Sequence, residues 1–191
     1  MKDDLHSYLK GGRDALLWKL DGLGEYDIRR PLTRTATNLL GLVKHAAVGE
    51  ILYFGVVFGR PFDQELSYVG DDAEPNADMW ATADETREEI VDLYQRAIAH
   101  ADATIEALAL NDVGRVPWWG DEAVTLHQVL VHVVVDTQRH AGHADIVREL
   151  VDGTAGLLPS NDNLPPGDES WWLDHRRRVE QAALDAGKRG D

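Results

Sequence analysis

Residues 125–153 read TLHQVLVHVVVDTQRHAGHADIVRELVDG, and this stretch decides the fold. It opens on a capping box, Thr125-Leu-His-Gln128, in which two side chains satisfy the free amides of a helix start. It closes on Gly153, a residue type that readily turns left-handed past a helix end. Between them Val129, Val133, Ala144, Val147 and Val151 recur at helical spacing, which predicts one long helix with an inward apolar stripe. At roughly 100° per residue, with His132 at zero, His143 falls near 20°, Asp136 near 40°, and His140 near 80°. Asp136 and His140 thus share the stripe of Val129 and Val147. Burying a carboxylate unpaired is expensive, so Asp136 requires a partner or an ion. Its i, i+4 spacing from His140 sets both side chains on adjacent turns of one face, where they can converge on one ion or bond to each other.

Outward from this helix, punctuation marks four more. Residues 3–22 carry Leu5, Leu9, Leu16, Leu17 and Leu20 and end at Gly22-Leu-Gly24. Arg30-Pro31 is a connector, because the residue before proline avoids the helical region. A second helix is expected from Thr37, its N-cap, to Val57, with Gly59-Arg60-Pro61 as the stop. A long connection, 59–82, holds Gly70-Asp71-Asp72 and Pro75-Asn76, and connections of this length are often functional or mobile. A third helix is expected from the capping box Thr82-Ala-Asp-Glu85 to Leu108, and residues 111–124 read as a loop around Pro117-Trp118-Trp119-Gly120. Proline, glycine and asparagine dominate 156–167, and a last helix spans 169–186. The expectation is an all-α bundle of four main helices over residues 1–158, with residues 159–191 as an extension carrying a short helix.

Composition narrows the function. The chain of 191 residues has no cysteine, which excludes thiolate metal sites and a protein thiol nucleophile. A transition metal would be held by nitrogen and oxygen, and sulfur chemistry would need a thiol brought by a small molecule. With 19 basic against 34 acidic side chains the net charge is −15, which disfavours nucleic acid as a partner. Arg176-Arg177-Arg178, a short basic cluster, reads as a solvated helix face. No uninterrupted apolar run approaches the ~18 residues of a membrane span, and Met1-Lys2-Asp3-Asp4 lacks the pattern of a signal peptide. The expectation is a cytoplasmic protein with no membrane partner.

A third donor is available on the second helix. His45 shares a stripe with Leu42, Gly49, Leu52 and Val56, and Gly49 suggests close approach of a neighbouring helix. Two readings stand side by side at this point. His45, Asp136 and His140 form a buried divalent-metal site, or His45 is a hydrogen-bonded core residue while Asp136 and His140 satisfy each other. His143, Arg139 and His132 border the same stripe as supporting groups or substrate contacts. His6, His100, His127 and His175 read as surface residues, and the pairs Trp118-Trp119 and Trp171-Trp172 as core or loop anchors.

The pattern Asp136-Thr-Gln-Arg-His140-Ala-Gly-His143-Ala-Asp145-Ile-Val-Arg148-Glu149, with His45 upstream and Trp118-Trp119-Gly120 before the helix, resembles the DinB-like superfamily. More narrowly it resembles the branch related to mycothiol-dependent maleylpyruvate isomerase, over residues 1 to about 158. The resemblance implies an up-up-down-down four-helix bundle, commonly a homodimer, with a divalent metal at one end. It implies His45, Asp136 and His140 as ligands, Asp136 standing where many relatives carry histidine. Zinc comes before nickel as the implied metal, and a low-molecular-weight thiol such as mycothiol is the implied co-substrate. The implied activity is S-transfer to, or isomerisation of, small electrophiles. The alternative is a non-catalytic metal-dependent small-molecule binder or stress-response protein. Fold kinship does not by itself confer chemistry.

Overall fold

The computed structural model describes residues 1–70, 72–120 and 122–188, so Asp71 of the long connection lies outside the described residues. The chain is all-α, with helices α1 (Lys2–Trp18), α2 (Glu25–Arg29), α3 (Leu39–Glu50), α4 (Arg87–Ala107), α5 (Leu126–Asp152) and α6 (Glu169–Gly187). A hairpin, β1 (Val113–Arg115) paired antiparallel to β2 (Ala123–Thr125), precedes α5 inside the stretch expected to be loop. Its three-residue strands are too short to leave an alternating pattern in the sequence.

Two compact units are present, Met1–Asn161 and Asp162–Asp191. In the first, α1 packs on α5, and α3 packs on both α4 and α5. Leu40, Val43, Ala47, Tyr94 and Ala97 fill one part of the core; Leu9, Phe54, Ile105, Leu126 and Leu130 fill the other. Leu9, Leu40 and Leu130 are fully buried, a state worth about 1.5–3 kcal/mol for each such side chain. Leu39–Phe58 is long and apolar enough to cross a membrane by length and composition, and 72% of that window is buried inside the protein. In the second unit, α6 starts at Asp168, whose carboxylate accepts from Trp171 N, and the Trp171 ring stacks on His175.

Helix ends follow from their capping chemistry. α5 begins at the expected box, with Thr125 and Gln128 bonded reciprocally, and ends at Gly153 at a φ of 78°. α4 begins later than expected, because a second box, Thr86 with Glu89, nucleates it. The Glu85 carboxylate instead accepts from Thr82 N and pairs with Lys44. α3 is capped by Asn38 rather than Thr37, and it passes into a π turn at Ile51–Gly55 and a 3₁₀ turn at Val56–Phe58.

The expectation of close packing at Gly49 is corrected: a Cβ there would meet nothing within 4 Å. The close approaches are elsewhere. At Gly41 a Cβ would sit 1.8 Å from Met79 O, and at Gly12 it would sit 2.9 Å from Thr137. The 3₁₀ turn Ala77–Met79 therefore lies directly on the first turn of α3. Lys44 holds it there, donating to Ala77 O at 2.9 Å and Trp80 O at 3.0 Å.

Candidate metal centre

α5 and α3 run in opposite directions along one face, because His45 meets His140 while Tyr53, eight residues on, meets His132. This pairing brings His45, Asp136 and His140 together, with one donor atom from each lying within 4.8 Å of the others. His45 Nε2 is 4.0 Å from Asp136 Oδ2, and His140 Nε2 is 3.5 Å from Asp136 Oδ1. Both separations exceed a good hydrogen bond. The reading in which Asp136 and His140 simply satisfy each other is therefore poorly met by this geometry. His140 Nδ1 is also buried without a hydrogen-bond partner among the described residues. Two imidazoles and a carboxylate are a suitable donor set for a divalent transition metal.

The cluster is less buried than its apolar stripe suggested. Side-chain exposure is 28% for His45, 39% for Asp136 and 14% for His140. The stripe on α5 is wide enough that its edge, where Asp136 lies, reaches solvent. An ion at this position could keep open positions for a small molecule, as catalytic metal sites do.

Asp78, on the 3₁₀ turn held by Lys44, sits 2.7 Å from His45 Nδ1. A carboxylate there favours the proton on Nδ1 and turns the Nε2 lone pair toward Asp136. Burial works against a charged ring, yet the Asp78 bond and the charges of Asp78 and Asp136 raise the His45 pKa above its ordinary value. In return the His45 bond holds the Asp78 carboxyl below the usual range despite partial burial. The His140 ring does most to lower Asp136, helped by the charges of His45 and His132.

The bordering residues divide. His132 packs between Trp119, at a centroid distance of 4.6 Å, and Tyr53, at 4.8 Å. His143 is exposed, with its ring 5.5 Å from that of His140. Its pKa is lowered, by desolvation first and by His140 and Arg139 next. Arg139 is exposed on the same helix. One other expectation is corrected. His6 and His100 are not free surface residues, since His6 bonds Asp102 at 2.7 Å and His100 bonds Arg60 O at 2.8 Å. Of the two readings for Trp118 and Trp119, loop anchor holds and core does not: they are 46% and 45% exposed and pack on Tyr53. A cavity of about 530 Å³, lined by Asp14, Trp18, Arg87 and Leu158 among others, shares no residue with the cluster.

Fold and site together define a helical-bundle protein with a solvent-accessible cluster of nitrogen and oxygen donors contributed by two of its long helices. The family model for mycothiol S-transferase matches residues 4–153, and the chain belongs to that family, within the DinB-like superfamily. Among solved structures, it is similar to a conserved protein from Enterococcus faecalis. That match has 17% identity and a TM-score of 0.60, covers 81% of this chain and 98% of the other, and speaks to the fold. No curated protein matches the chain.

Proposed function

We propose that this protein is a metal-dependent S-transferase that joins mycothiol, or a similar low-molecular-weight thiol, to small electrophilic substrates. His45, Asp136 and His140 are the proposed ligands. The single observation that carries the proposal is the convergence of these three donors within 4.8 Å, at separations longer than a good hydrogen bond. A divalent ion held there, zinc before nickel, would supply the Lewis acidity that lowers a thiol's pKa toward neutrality.

The side chains have separate tasks in this reading. Asp78 keeps a proton at His45 Nδ1, so that Nε2 faces the centre. Asp136 offsets one positive charge of the ion, which leaves the site less cationic than a three-histidine set. His143 and Arg139, exposed on the next turn of α5, are proposed to meet the polar body of the thiol. The absence of cysteine agrees with sulfur that arrives as co-substrate. In the transfer, sulfur forms a bond to the electrophilic carbon, the leaving group departs with the electrons of its old bond, and the thiol proton passes to solvent.

The test is mycothiol consumption with a panel of alkyl and aryl electrophiles, with and without a chelator. Consumption lost on chelation, lost in His45→Ala, and restored to chelated wild type by zinc supports the proposal. Equal consumption by the His45→Ala variant overturns it. Stoichiometric metal without consumption of any thiol assigns the chain to metal-dependent binding instead of catalysis.

A further inference from the structure

The donor cluster belongs to α3 and α5; the other two long helices of the bundle frame a separate space. α1 packs on α5 and α4 on α3, while α1 and α4 meet each other mainly through polar bridges. At one end of this pair Lys2 donates to Leu108 O at 2.7 Å, and His6 and Arg13 both bond Asp102 at 2.7 Å. At the other end Arg87 donates to Leu23 O at 2.6 Å and pairs with Glu25 at 2.9 Å. Between these bridges lies the cavity of about 530 Å³, a volume within the range of small-molecule sites.

Its lining is of two kinds. Asp14, Leu17, Trp18 and Asp21 share one face of α1, and Glu88, Val91 and Gln95 share one face of α4. Leu17, Leu20, Val91 and Leu158 are buried or half-buried and make the apolar part. The Leu158 wall is tied to α1, because the Trp18 indole N–H donates to Leu157 O at 2.6 Å and Lys19 donates to Gly156 O. Asp14, Asp21 and Glu88 are exposed at the mouth, and among the described residues none of these three carboxylates has a hydrogen-bond or ion-pair partner. Arg87, the cation of the lining, is already bonded to Glu25 and Leu23 O. The Trp18 ring already carries the Lys19 ammonium, 3.8 Å from its centroid. The charge that the cavity offers a visitor is therefore negative.

We infer that this cavity binds a small organic cation, an ammonium head on an apolar body, at a site separate from the donor cluster. The head meets the carboxylates of Asp14, Asp21 and Glu88, and the body covers Leu17, Leu20, Val91 and Leu158. An ammonium gains charged acceptors there without breaking an existing ion pair. An anion would join three unpaired carboxylates on a chain of net charge −15, and a neutral molecule would gain the apolar walls alone. A bare metal ion has no use for those walls, and among the described residues it is His45, Asp136 and His140 that converge closely enough to hold one. The inference stands apart from the transferase proposal, since the two sites share no residue.

Phenylbutylammonium, phenylbutanol and phenylbutyrate share one apolar body and differ in head charge; butylammonium keeps the cation and drops the ring. Each is titrated by calorimetry at about 0.15 M salt, where exposed charges more than ~8 Å away are largely screened. Three proteins are compared: wild type, Asp14→Asn/Glu88→Gln at the mouth, and Asp3→Asn/Glu106→Gln, which removes the same charge from the far ends of the same helices. All four positions are exposed, so both double variants are expected to fold as wild type. Wild type is expected to bind phenylbutylammonium about tenfold or more tighter than phenylbutanol or butylammonium, with phenylbutyrate weakest. The mouth variant is expected to lose about tenfold for phenylbutylammonium and the far-end variant to stay within about twofold. His45→Ala is expected to bind as wild type does, which keeps failure of the metal proposal distinct from failure of this one. Equal losses in the two double variants overturn the inference and leave only attraction by overall charge. Equal binding of phenylbutylammonium and phenylbutanol, or of phenylbutylammonium and butylammonium, overturns it too, as does the absence of binding at millimolar probe.

Discussion

Two clusters of ionisable side chains share helix α3, and they are made of the same chemistry in opposite states. Glu50 accepts from Arg13 Nε at 2.7 Å and Nη2 at 2.8 Å, and Arg13 Nη1 reaches Asp102 at 2.7 Å. His6 completes that set against Asp102 at 2.7 Å. The Arg13 and Glu50 side chains are 2% and 1% exposed. Five residues earlier, His45 faces Asp136 across 4.0 Å and is open to solvent. The first cluster is closed, with each charge bonded to its opposite. The second has been brought together at longer separations, 3.5 Å and 4.0 Å from Asp136 to the two imidazoles, with Asp78 in close contact behind His45. Gathering donors at loose separations costs stability, and a site that must receive something is where such a cost is kept.

Substitutions should separate the two clusters cleanly. Glu50→Ala removes two of the three hydrogen bonds of the buried Arg13 guanidinium, leaving the one to Asp102, and is expected to cost about 3–5 kcal/mol, read from urea denaturation. His45→Ala, tested the same way on metal-free protein, is expected to change stability by less than about 1 kcal/mol, since it removes a half-exposed ring from an unclosed set. Comparable losses in both variants would erase the distinction. Asp78→Asn is expected to leave the fold intact and lower metal affinity about 10–100-fold, measured by competition with a chromophoric chelator.

Acid sharpens the contrast on the closed side. Burial pushes Asp102 up, but hydrogen bonds from Arg13 and His6 prevail and hold its pKa below the ordinary value. A carboxyl with a lower pKa folded than unfolded contributes stability above its unfolded value and loses it as pH falls through the folded one. Wild-type stability should therefore drop as pH falls below about 4, and Asp102→Asn should show a shallower slope in denaturation at pH 5, 4 and 3. The smallest effects are expected on the open side. His143→Ala and Arg139→Ala, both at exposed positions, should leave metal content unchanged in elemental analysis.

Sequence legibility followed the regular elements. α5 could be read almost to its ends because its capping box, its period and its terminal glycine agree, and Asp136 and His140 came with it. His45 was legible as a polar residue in an apolar helix. Asp78 was not, because the 59–82 connection has no period to say which acid turns inward; contacts from Lys44 and the absent Cβ of Gly41 decide that. Tyr53 was hidden by the π turn, which breaks the 100° arithmetic that placed its neighbours. Gly49 shows a deeper ambiguity. A glycine marks either a close approach or a deliberate space, and spacing alone cannot choose. Here Gly41 and Gly12 are the approaches and Gly49 is the space. α4 starts at the box Thr86 with Glu89, four residues past the expected box Thr82-Ala-Asp-Glu85, whose Glu85 pairs with Lys44.

Elemental analysis of untagged protein, wild type beside His45→Ala, bears most directly on the central claim that the open cluster is a metal centre. The account predicts about one divalent transition-metal ion per chain in the wild type and almost none in the variant, with both equally folded. Equal metal content in the two proteins, or none in either after growth and refolding with zinc and nickel, would contradict it.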